Sequence, residues 1–458
     1  MSVFWIAGPV QARQAEQLLR RHRYTEAILS VKGTQKSLDE RDDRALSVLG
    51  VAHLQRAYFL RDLAALQVAI GEKYYSLRLT SDEVTPTPWT AYFLGRYLFE
   101  QGLPEHALPH FEASFDAPHF PLEYRRRARL WAAACLTLQG RIPQATALWD
   151  AVSVDGNAAL AGERAIARWK TGVEETPRCN TGTEPSVAAY RCRLWAALQA
   201  RNIAALSPLQ DDLIRRAAPD REVVVHDDFV LQFYDPATLE LLVLADFAAA
   251  MDVFRRIEGT SGRQEALLYA GISAYEAGYY TEAHAFLEQT SHPLRVVYLG
   301  ALRYQEGKRA AARALWTEAR SGDPTMLIEW AFVASRFEDE HDAIRQAAGT
   351  HATAKQQTQR TARKLGRALL NVGQIHEALH LLEAVYPIHD HNRVDTVEPG
   401  YMTTLTQAKF LTGRPYYPAV RSHLVSLVDV FPVAEGVLYL AQAYTAPERT
   451  TGKKRTGQ

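Results

Sequence analysis

Small and hydrophobic residues recur at a fixed interval in residues 269–324. The first copy of the pattern contains Gly271, Gly278 and Ala283, and the second copy contains Gly300, Gly307 and Ala312. The first glycine of each copy allows two helices to approach closely, and the second suits a left-handed helix end. The alanine fills a tight crossing in the second helix. The pattern therefore predicts a pair of helices that repeats after 29 residues and stacks into a solenoid.

The second copy extends over seven spaced positions. They are Leu299, Gly300, Gly307, Ala312, Trp316, Ala319 and Pro324. These residues resemble the tetratricopeptide repeat (TPR), a 34-residue unit with small residues at positions 8, 15, 20 and 27, a large apolar residue at 24 and proline at 32. The resemblance implies an all-α fold, a right-handed α-solenoid of TPR-like helical hairpins. It also implies a binding function, with partners that differ from protein to protein.

The same pattern divides the chain into four predicted regions. Residues 1–172 are an N-terminal TPR-like helical array, and residues 241–445 are a C-terminal TPR array. Residues 173–240 are a linker with an irregular helical or β insertion. Residues 446–458 are a disordered basic tail, because they lack an apolar face.

Two stretches fit the helical pattern less well. From Asp43 to Leu79 the apolar residues keep a helical period and Gly50 suits position 8, but no glycine marks a turn. Residues 222–234 contain β-branched residues and a turn signal. A short β-hairpin and an ordinary helix of the array are both open alternatives there.

Composition excludes several classes of protein. Lys+Arg and Asp+Glu both number 52, so the net charge is zero and general attraction to nucleic acid is not expected. No run of about 18 apolar residues occurs, so no transmembrane helix is expected. Three cysteines without a CxxC pair argue against a disulfide framework and a structural zinc module. The short apolar run near the N-terminus lacks a preceding basic residue, so a cytoplasmic location is expected.

Residues 376–380 match the HExxH motif of zincin metallopeptidases. In that resemblance His376 and His380 would ligate zinc, and Glu377 would be the base. A third ligand would have to come from Glu398, His389 or His391. The same five residues also occupy TPR positions 18–22, where both histidines are solvated surface, and this second interpretation is favoured. No phosphate loop, nucleophile elbow or dinucleotide fingerprint is present, so neither an enzyme nor a cofactor is expected.

In the TPR resemblance, positions 2, 5, 9 and 12 of each first helix line the concave groove. The predicted partner-binding residues at these positions are Arg360, Arg363, Arg367, Tyr275, Tyr304, Trp89, Tyr92, Arg96 and Phe99. Arginine and aromatic side chains are common at binding hot spots. The three arginines would suit an acidic segment of a partner. The alternative is that the superhelix or an inserted loop already covers these positions.

The sequence thus predicts a non-enzymatic scaffold or adaptor that holds an extended or helical segment of another protein in the groove of a TPR solenoid. Two alternatives stay open. One is a zinc-dependent hydrolase that uses residues 376–380. The other is a TPR-type regulatory sensor of a peptide or small ligand. The identity of the partner and the oligomeric state are left open.

Overall fold

The computed structural model describes most of the chain, and the regular secondary structure in that part is helical. The described residues are 10–32, 43–80, 88–100, 102–155, 157–173, 236–259, 262–321, 323–351, 358–386 and 397–430, with scattered positions in 192–209 and 434–441. Within these ranges there is no strand, so the predicted all-α fold is confirmed there. The β-hairpin predicted near 222–234 and the tail at 446–458 lie outside the described residues.

The first part of the chain supplies eight described helices. They are α1 (Val10–Arg20), α2 (Tyr24–Lys32), α3 (Asp43–Thr80), α4 (Pro88–Glu100), α5 (Pro104–Phe115), α6 (Leu122–Leu138), α7 (Ile142–Asp150) and α8 (Ala158–Lys170). With 38 residues, α3 is far longer than its neighbours. We call α4 to α8 the N-terminal array.

The second part supplies eleven described helices. They are α9 (Pro236–Arg255), α10 (Arg263–Glu276), α11 (Tyr280–Gln289), α12 (Arg295–Gln305), α13 (Arg309–Ser321), α14 (Pro324–Ala334), α15 (His341–His351), α16 (Gln359–Asn371), α17 (Ile375–Val385), α18 (Pro399–Thr412) and α19 (Tyr417–Val430). Short 3₁₀ turns at Glu338–Glu340 and Arg414–Tyr416 precede α15 and α19. We call α9 to α19 the C-terminal array.

The hairpins pack as the TPR pattern requires, with a glycine of the first helix under a large side chain of the second. The pairs are Gly95 with Phe111, Gly271 with Leu287, Gly300 with Trp316 and Gly366 with Leu382. A Cβ atom added at Gly95 would lie 2.9 Å from the Phe111 ring, and one at Gly366 would lie 3.0 Å from Leu382. Any larger residue would therefore push the two helices of a hairpin apart.

One further hairpin joins helices that are far apart in sequence. A Cβ atom at Gly50 of α3 would lie 2.8 Å from the ring of Phe254 of α9, the same contact that closes the other hairpins. Asp43, at the start of α3, accepts a hydrogen bond from the backbone of Gly259, just beyond the end of α9. The two helices therefore run antiparallel. Gly50 has the role predicted for it, but its partner helix comes about two hundred residues later.

The C-terminal array closes on α3. The helix α9 packs against both α3 and α10, and the hairpins then follow one another to α18. The helix α18 packs against α3 again. On its other side α3 carries the α1–α2 hairpin through a small apolar cluster that includes Ile28, Val31 and Leu49. The helix α3 therefore lies inside the C-terminal array. The predicted boundary near residue 172 stays a prediction, but α1 to α3 lie with the C-terminal helices.

The cysteines and the apolar character of the helices are two further features of the chain. Cys135 is a buried free thiol, whereas Cys192 is disulfide-bonded, although the cysteine count alone argued against disulfides. In the described part of the chain, no helix combines the length and the apolar character needed to cross a membrane. The cytoplasmic location stays a prediction.

Candidate functional site

The groove of the C-terminal array holds α3 of the same chain. Tyr58 of α3 lies between Phe247 of α9 and Phe332 of α14, with ring centroids 5.2 and 6.0 Å apart and near-perpendicular planes. Leu60 and Leu63, on the following turn, have no exposed surface. Such aromatic contacts stabilise by about 0.5–1.5 kcal/mol beyond the burial of area. A helix of the chain thus occupies the place where the sequence predicts a partner segment.

A fully buried ion pair joins α3 to α9. Arg56 donates to both carboxylate oxygens of Asp246, over 2.8 and 2.9 Å. His53 Nδ1 lies 2.6 Å from Asp246 Oδ1. Burial lowers the pKa of His53 in spite of this carboxylate, so its imidazole is neutral and donates the Nδ1 proton. Burial alone would raise the pKa of Asp246, but Arg56 and His53 hold it below its ordinary value, so the carboxylate stays charged.

A second ionic contact joins α3 to the ends of α10 and α14. Glu276 accepts from Arg61 of α3 over 2.7 Å and from Arg336 through two hydrogen bonds of 2.7 and 2.8 Å. Burial would raise the pKa of Glu276, but Arg336 and Arg61 lower it to about 2. The carboxylate is therefore charged at neutral pH and holds two guanidinium groups from different elements.

A third contact involves the predicted arginine stripe. Arg367 Nε donates to Asp62 of α3 over 3.0 Å, and Arg363 Nη1 lies 3.7 Å from the same carboxylate. Arg363 also lies 3.1 Å from Glu398, at the start of α18. Both arginine side chains are less than a tenth exposed. Charge pairs of this kind are costly to break, because removal of one partner leaves a buried charge uncompensated.

The arginine stripe therefore exists as predicted on one face of α16, but it does not face an open groove. Arg363 and Arg367 are buried against α3 and α18. Arg360, one turn earlier, is half-buried and has no ion pair or hydrogen bond in the described part of the chain. Two of the three arginines are thus covered by helices of the same chain, and the partner-binding role of the stripe stays a prediction.

The two predicted groove tyrosines are also engaged within the array. Tyr275 is 4% exposed, and its ring lies 5.8 Å from that of Tyr298 in the next hairpin. The hydroxyl of Tyr304 donates to Asp339 over 2.6 Å, and its ring lies 4.4 Å from that of Phe337. These contacts join successive hairpins, so the tyrosines serve the packing of the solenoid.

The predicted groove residues of the N-terminal array are packed in the same manner. They are Trp89, Tyr92, Arg96 and Phe99, of which Trp89 has a side chain outside the described part. Arg96 lies over the ring of Trp131, 3.4 Å from its centroid, and donates to Glu163 of α8 over 3.0 Å. Phe99 contacts the same tryptophan ring at 5.0 Å, and Tyr92 is 4% exposed. Arg96 and Phe99 therefore lie in the packed interface between α4, α6 and α8.

The HExxH residues lie where the TPR interpretation places them. His376, Glu377 and His380 are exposed on α17. Of the proposed third ligands, Glu398 pairs with Arg363, and His389 and His391 lie outside the described residues. Among the residues described there is no group of three or more His, Cys, Asp or Glu side chains that could hold a metal ion.

Sequence reasoning missed the charged residues of α3 that fill the groove, namely Arg56, Arg61 and Asp62. A signal for them was present. Residues 45–70 are mostly apolar, and Arg56, Arg61 and Asp62 are their only Asp, Glu, Lys or Arg residues, which is typical of a buried helix. Charges in a buried helix need partners, so these residues indicate oppositely charged groups elsewhere in the chain.

An exposed row of apolar side chains follows the hairpin turns of the N-terminal array. Leu103 lies between α4 and α5, Leu138 and Ile142 flank the next turn, and Val173 follows α8, with exposures of 44, 47, 53 and 46%. Gln139 donates to the carbonyl of Pro104 over 3.2 Å, which places the first two turns side by side. We call Leu103, Leu138, Ile142 and Val173 the turn edge.

Basic side chains accompany the turn edge. Arg141 is exposed and hydrogen-bonds to the neutral Gln139 and Gln144. Arg168 and Lys170 lie in the last turn of α8, directly before Val173. Acidic residues lie near the same row, since the exposed Glu105 follows Leu103 by two positions and Glu174 and Glu175 follow Val173 in the sequence.

Comparisons with known proteins add little to this picture. No family model matches the chain, and no curated protein matches it. Among solved structures, the chain is similar to the crystal structure of the APC/C hetero-tetramer Cut9-Hcn1, with 14% identity over 94% of this chain and 89% of that chain and a TM-score of 0.28. A likeness at this TM-score carries no argument. The TPR-like character of the hairpins rests on their glycine packing.

Proposed function

We propose that the chain is a non-enzymatic protein–protein interaction scaffold whose partner binds along the turn edge of the N-terminal array. The observation that carries this proposal is the row of exposed apolar side chains there. Of the eight large hydrophobic side chains that are exposed in the described chain, four belong to this one edge. Contiguous exposed apolar surface is typical of interaction sites, whereas isolated exposed side chains are ordinary.

The proposed occupant is an amphipathic α-helix of a partner protein whose apolar stripe would lie on the turn edge. Helices packed side by side lie about 8–10 Å apart, so successive turns of the array present their apolar side chains at about that interval. Seven residues of an α-helix rise by about 10.5 Å. A helix with apolar residues in every second turn would therefore meet each hairpin once. Arg141, whose hydrogen-bond partners are the neutral Gln139 and Gln144, favours an acidic neighbour on that helix.

Because α3 fills the groove of the C-terminal array, a partner site outside that groove is favoured. A partner segment could enter the C-terminal groove only by replacing α3, which would expose the charges of Asp246, Glu276 and Arg367 together. The zinc-hydrolase alternative has no support from the exposed His376 and His380.

The test is a quantitative pull-down from the source cells with three full-length proteins. The wild type is compared with Leu138→Glu/Ile142→Glu, which alters the turn edge. The matched control is Leu29→Glu/Val425→Glu, which alters exposed apolar residues of α2 and α19 (42 and 43% exposed). We expect a protein that wild type and control retain and the edge variant loses at least about tenfold, equivalent to about 1.4 kcal/mol.

A synthetic peptide of the bound segment then identifies the occupant. It should be helical and apolar on one face, and it should bind wild type and control alike. Retention of the same proteins by the edge variant would contradict the proposal, as would a bound segment without an apolar helical stripe. Circular dichroism of each variant confirms that the helices are intact.

A further inference from the structure

A separate cleft lies on the C-terminal array, at the outer end of α9. Its volume is about 360 Å³, in the range that small-molecule sites occupy. The cleft lies between the turn at Arg201 and Asn202, the last turn of α9 and the start of α11. The turn edge belongs to other helices, so this cleft is independent of the proposed partner site.

The floor of the cleft is apolar and well packed. Met251 of α9 is 4% exposed and Tyr279 is 8% exposed. Phe286 of α11 completes the floor and is half-buried. The hydroxyl of Tyr279 donates to the carbonyl of Leu198 over 3.4 Å, so the ring is held from the side of the Arg201 turn. The floor offers a fixed aromatic surface to a ligand.

Three guanidinium groups surround this floor. Arg255 and Arg256 share a single carboxylate, that of Asp252, with Arg255 Nη2 at 2.6 Å. Arg201 pairs with Glu282 and lies over the Tyr279 ring, 5.0 Å from its centroid. Each guanidinium has five N–H donors, and one carboxylate cannot satisfy those of two arginines. The side chains of the three arginines are 52–56% exposed, so their remaining donors stay accessible to a ligand.

The backbone at Arg201 adopts the left-handed conformation that ends several helices of this chain. Several described hairpin turns place glycine at positive φ, as at Gly278 (81°) and Gly307 (78°), but His22 between α1 and α2 also has a positive φ, of 60°. Arg201 adopts φ of 51° without being glycine. A side chain in the left-handed region is strained, because its Cβ atom crowds the following carbonyl oxygen. Glycine would relieve the strain but would remove the guanidinium from the cleft.

We propose that this cleft binds a small organic anion, in which a carboxylate or phosphate group is carried on an apolar, preferably aromatic, body. The anionic group would bridge Arg255 and Arg256 with Arg201, and the apolar body would lie on Tyr279, Phe286 and Met251. Arginine suits this role because its planar donors match carboxylate and phosphate oxygens in pairs. Asp252 and Glu282 hold the arginines in place while the ligand is absent. This site is the kind of element that the sensor alternative requires.

The test is isothermal titration calorimetry of the full chain with four probes. Phenyl phosphate and phenylacetate carry both parts of the expected ligand, inorganic phosphate carries only the anion, and benzyl alcohol carries only the ring. We expect at least one of the two combined probes to bind about tenfold or more tightly than either partial probe. The stronger of phenyl phosphate and phenylacetate distinguishes a phosphate ligand from a carboxylate ligand.

Variants locate the binding. Arg255→Gln/Arg256→Gln should weaken the best probe by about tenfold or more, because charge-assisted hydrogen bonds are lost. Arg309→Gln/Arg345→Gln removes two comparably exposed, ion-paired arginines elsewhere on the array and should leave binding unchanged. Equal effects of the two double variants would overturn the proposal. So would equal binding of a partial probe, or no binding of any probe at about 1 mM.

Discussion

The two helical arrays use the same hairpin in opposite ways. In the C-terminal array the grooved side is filled by α3, and its charges are paired across that contact. The turns there carry polar residues such as Lys308, Arg309 and Gln374, and one exposed aromatic residue, Tyr280 (45% exposed). In the N-terminal array the equivalent turns carry Leu103 and Ile142, which are about half exposed. Residues at the same position of the repeat therefore have different contacts in the two arrays. The helix that packs next to a residue decides what the residue contacts.

Removal of a groove charge should have the largest effect. Asp246→Ala removes the carboxylate that pairs with Arg56 and His53 in the buried contact between α3 and α9 and should lower the free energy of unfolding by about 3–5 kcal/mol. The matched control is Asp342→Ala, which breaks an exposed pair with Arg345 (89 and 44% exposed) and should cost less than about 1 kcal/mol. Urea unfolding followed by circular dichroism measures both. If Asp246→Ala and Asp342→Ala lowered the free energy of unfolding equally, the buried ionic contact of α3 would not stabilise the fold.

The pH dependence of stability should report the contact of Glu276 with Arg61 and Arg336. The pKa of Glu276 is lowered from 4.5 to about 2 in the folded chain. Its contribution, at most about 3 kcal/mol, is therefore complete above pH 4.5 and is lost as the pH falls toward 2. The difference in unfolding free energy between wild type and Glu276→Gln should thus be largest at pH 6 and narrow by pH 3.

Glu288→Gln is the control for that series. The side chain of Glu288 is 58% exposed on α11, so this variant should differ little from wild type at any of these pH values. If the gap between wild type and Glu276→Gln were constant from pH 6 to pH 3, the stabilising charge on Glu276 would be refuted.

The hairpin between α3 and α9 should be sensitive to volume at Gly50. Gly50→Leu would place atoms within the ring of Phe254, and overpacking of this kind costs about 1–3 kcal/mol. Gly262→Ala is the matched control, because a Cβ atom there meets nothing within 4 Å. Thermal unfolding distinguishes the two. A wild-type melting temperature for Gly50→Leu would mean that α3 does not lie on α9.

The turn edge should give the smallest effect on stability. Leu138→Gln/Ile142→Gln should change the unfolding free energy by less than about 0.5 kcal/mol per site, since neither side chain is packed. The same double variant should bind less of a dye specific for exposed apolar surface. Leu136→Gln alters a side chain of the same helix that is 3% exposed and should be strongly destabilising. If the turn-edge double variant and Leu136→Gln lost similar amounts of unfolding free energy, the turn edge would be covered and not exposed.

Much of the local architecture was predictable from spacing. The glycine and the large residue of each hairpin lie at a constant separation, so Gly300 with Trp316 and Gly366 with Leu382 were recognisable. The unit formed by α14 and α15 escaped notice because Arg336 and Phe337 occupy its turn in place of glycine. The spacing thus predicts a hairpin only where its turn contains glycine.

The site residues show the limit of that approach. Arg363 and Arg367 were correctly placed on one face of α16, because helical periodicity decides which residues share a face. Their burial was not predictable, since it depends on Asp62, which precedes Arg367 by 305 residues. Their acidic neighbours within the described chain are Asp62 of α3 and Glu398 at the start of α18.

The sequence by itself determined the helical hairpins, their order and the faces of their helices, because these depend on contacts within about 35 residues. Only the tertiary structure decided that α3 pairs with α9, that it fills the C-terminal groove, and that the arginines at the end of α9 surround a cleft. The physical reason is that these features rest on charge pairs and packing between distant segments, which no local period records.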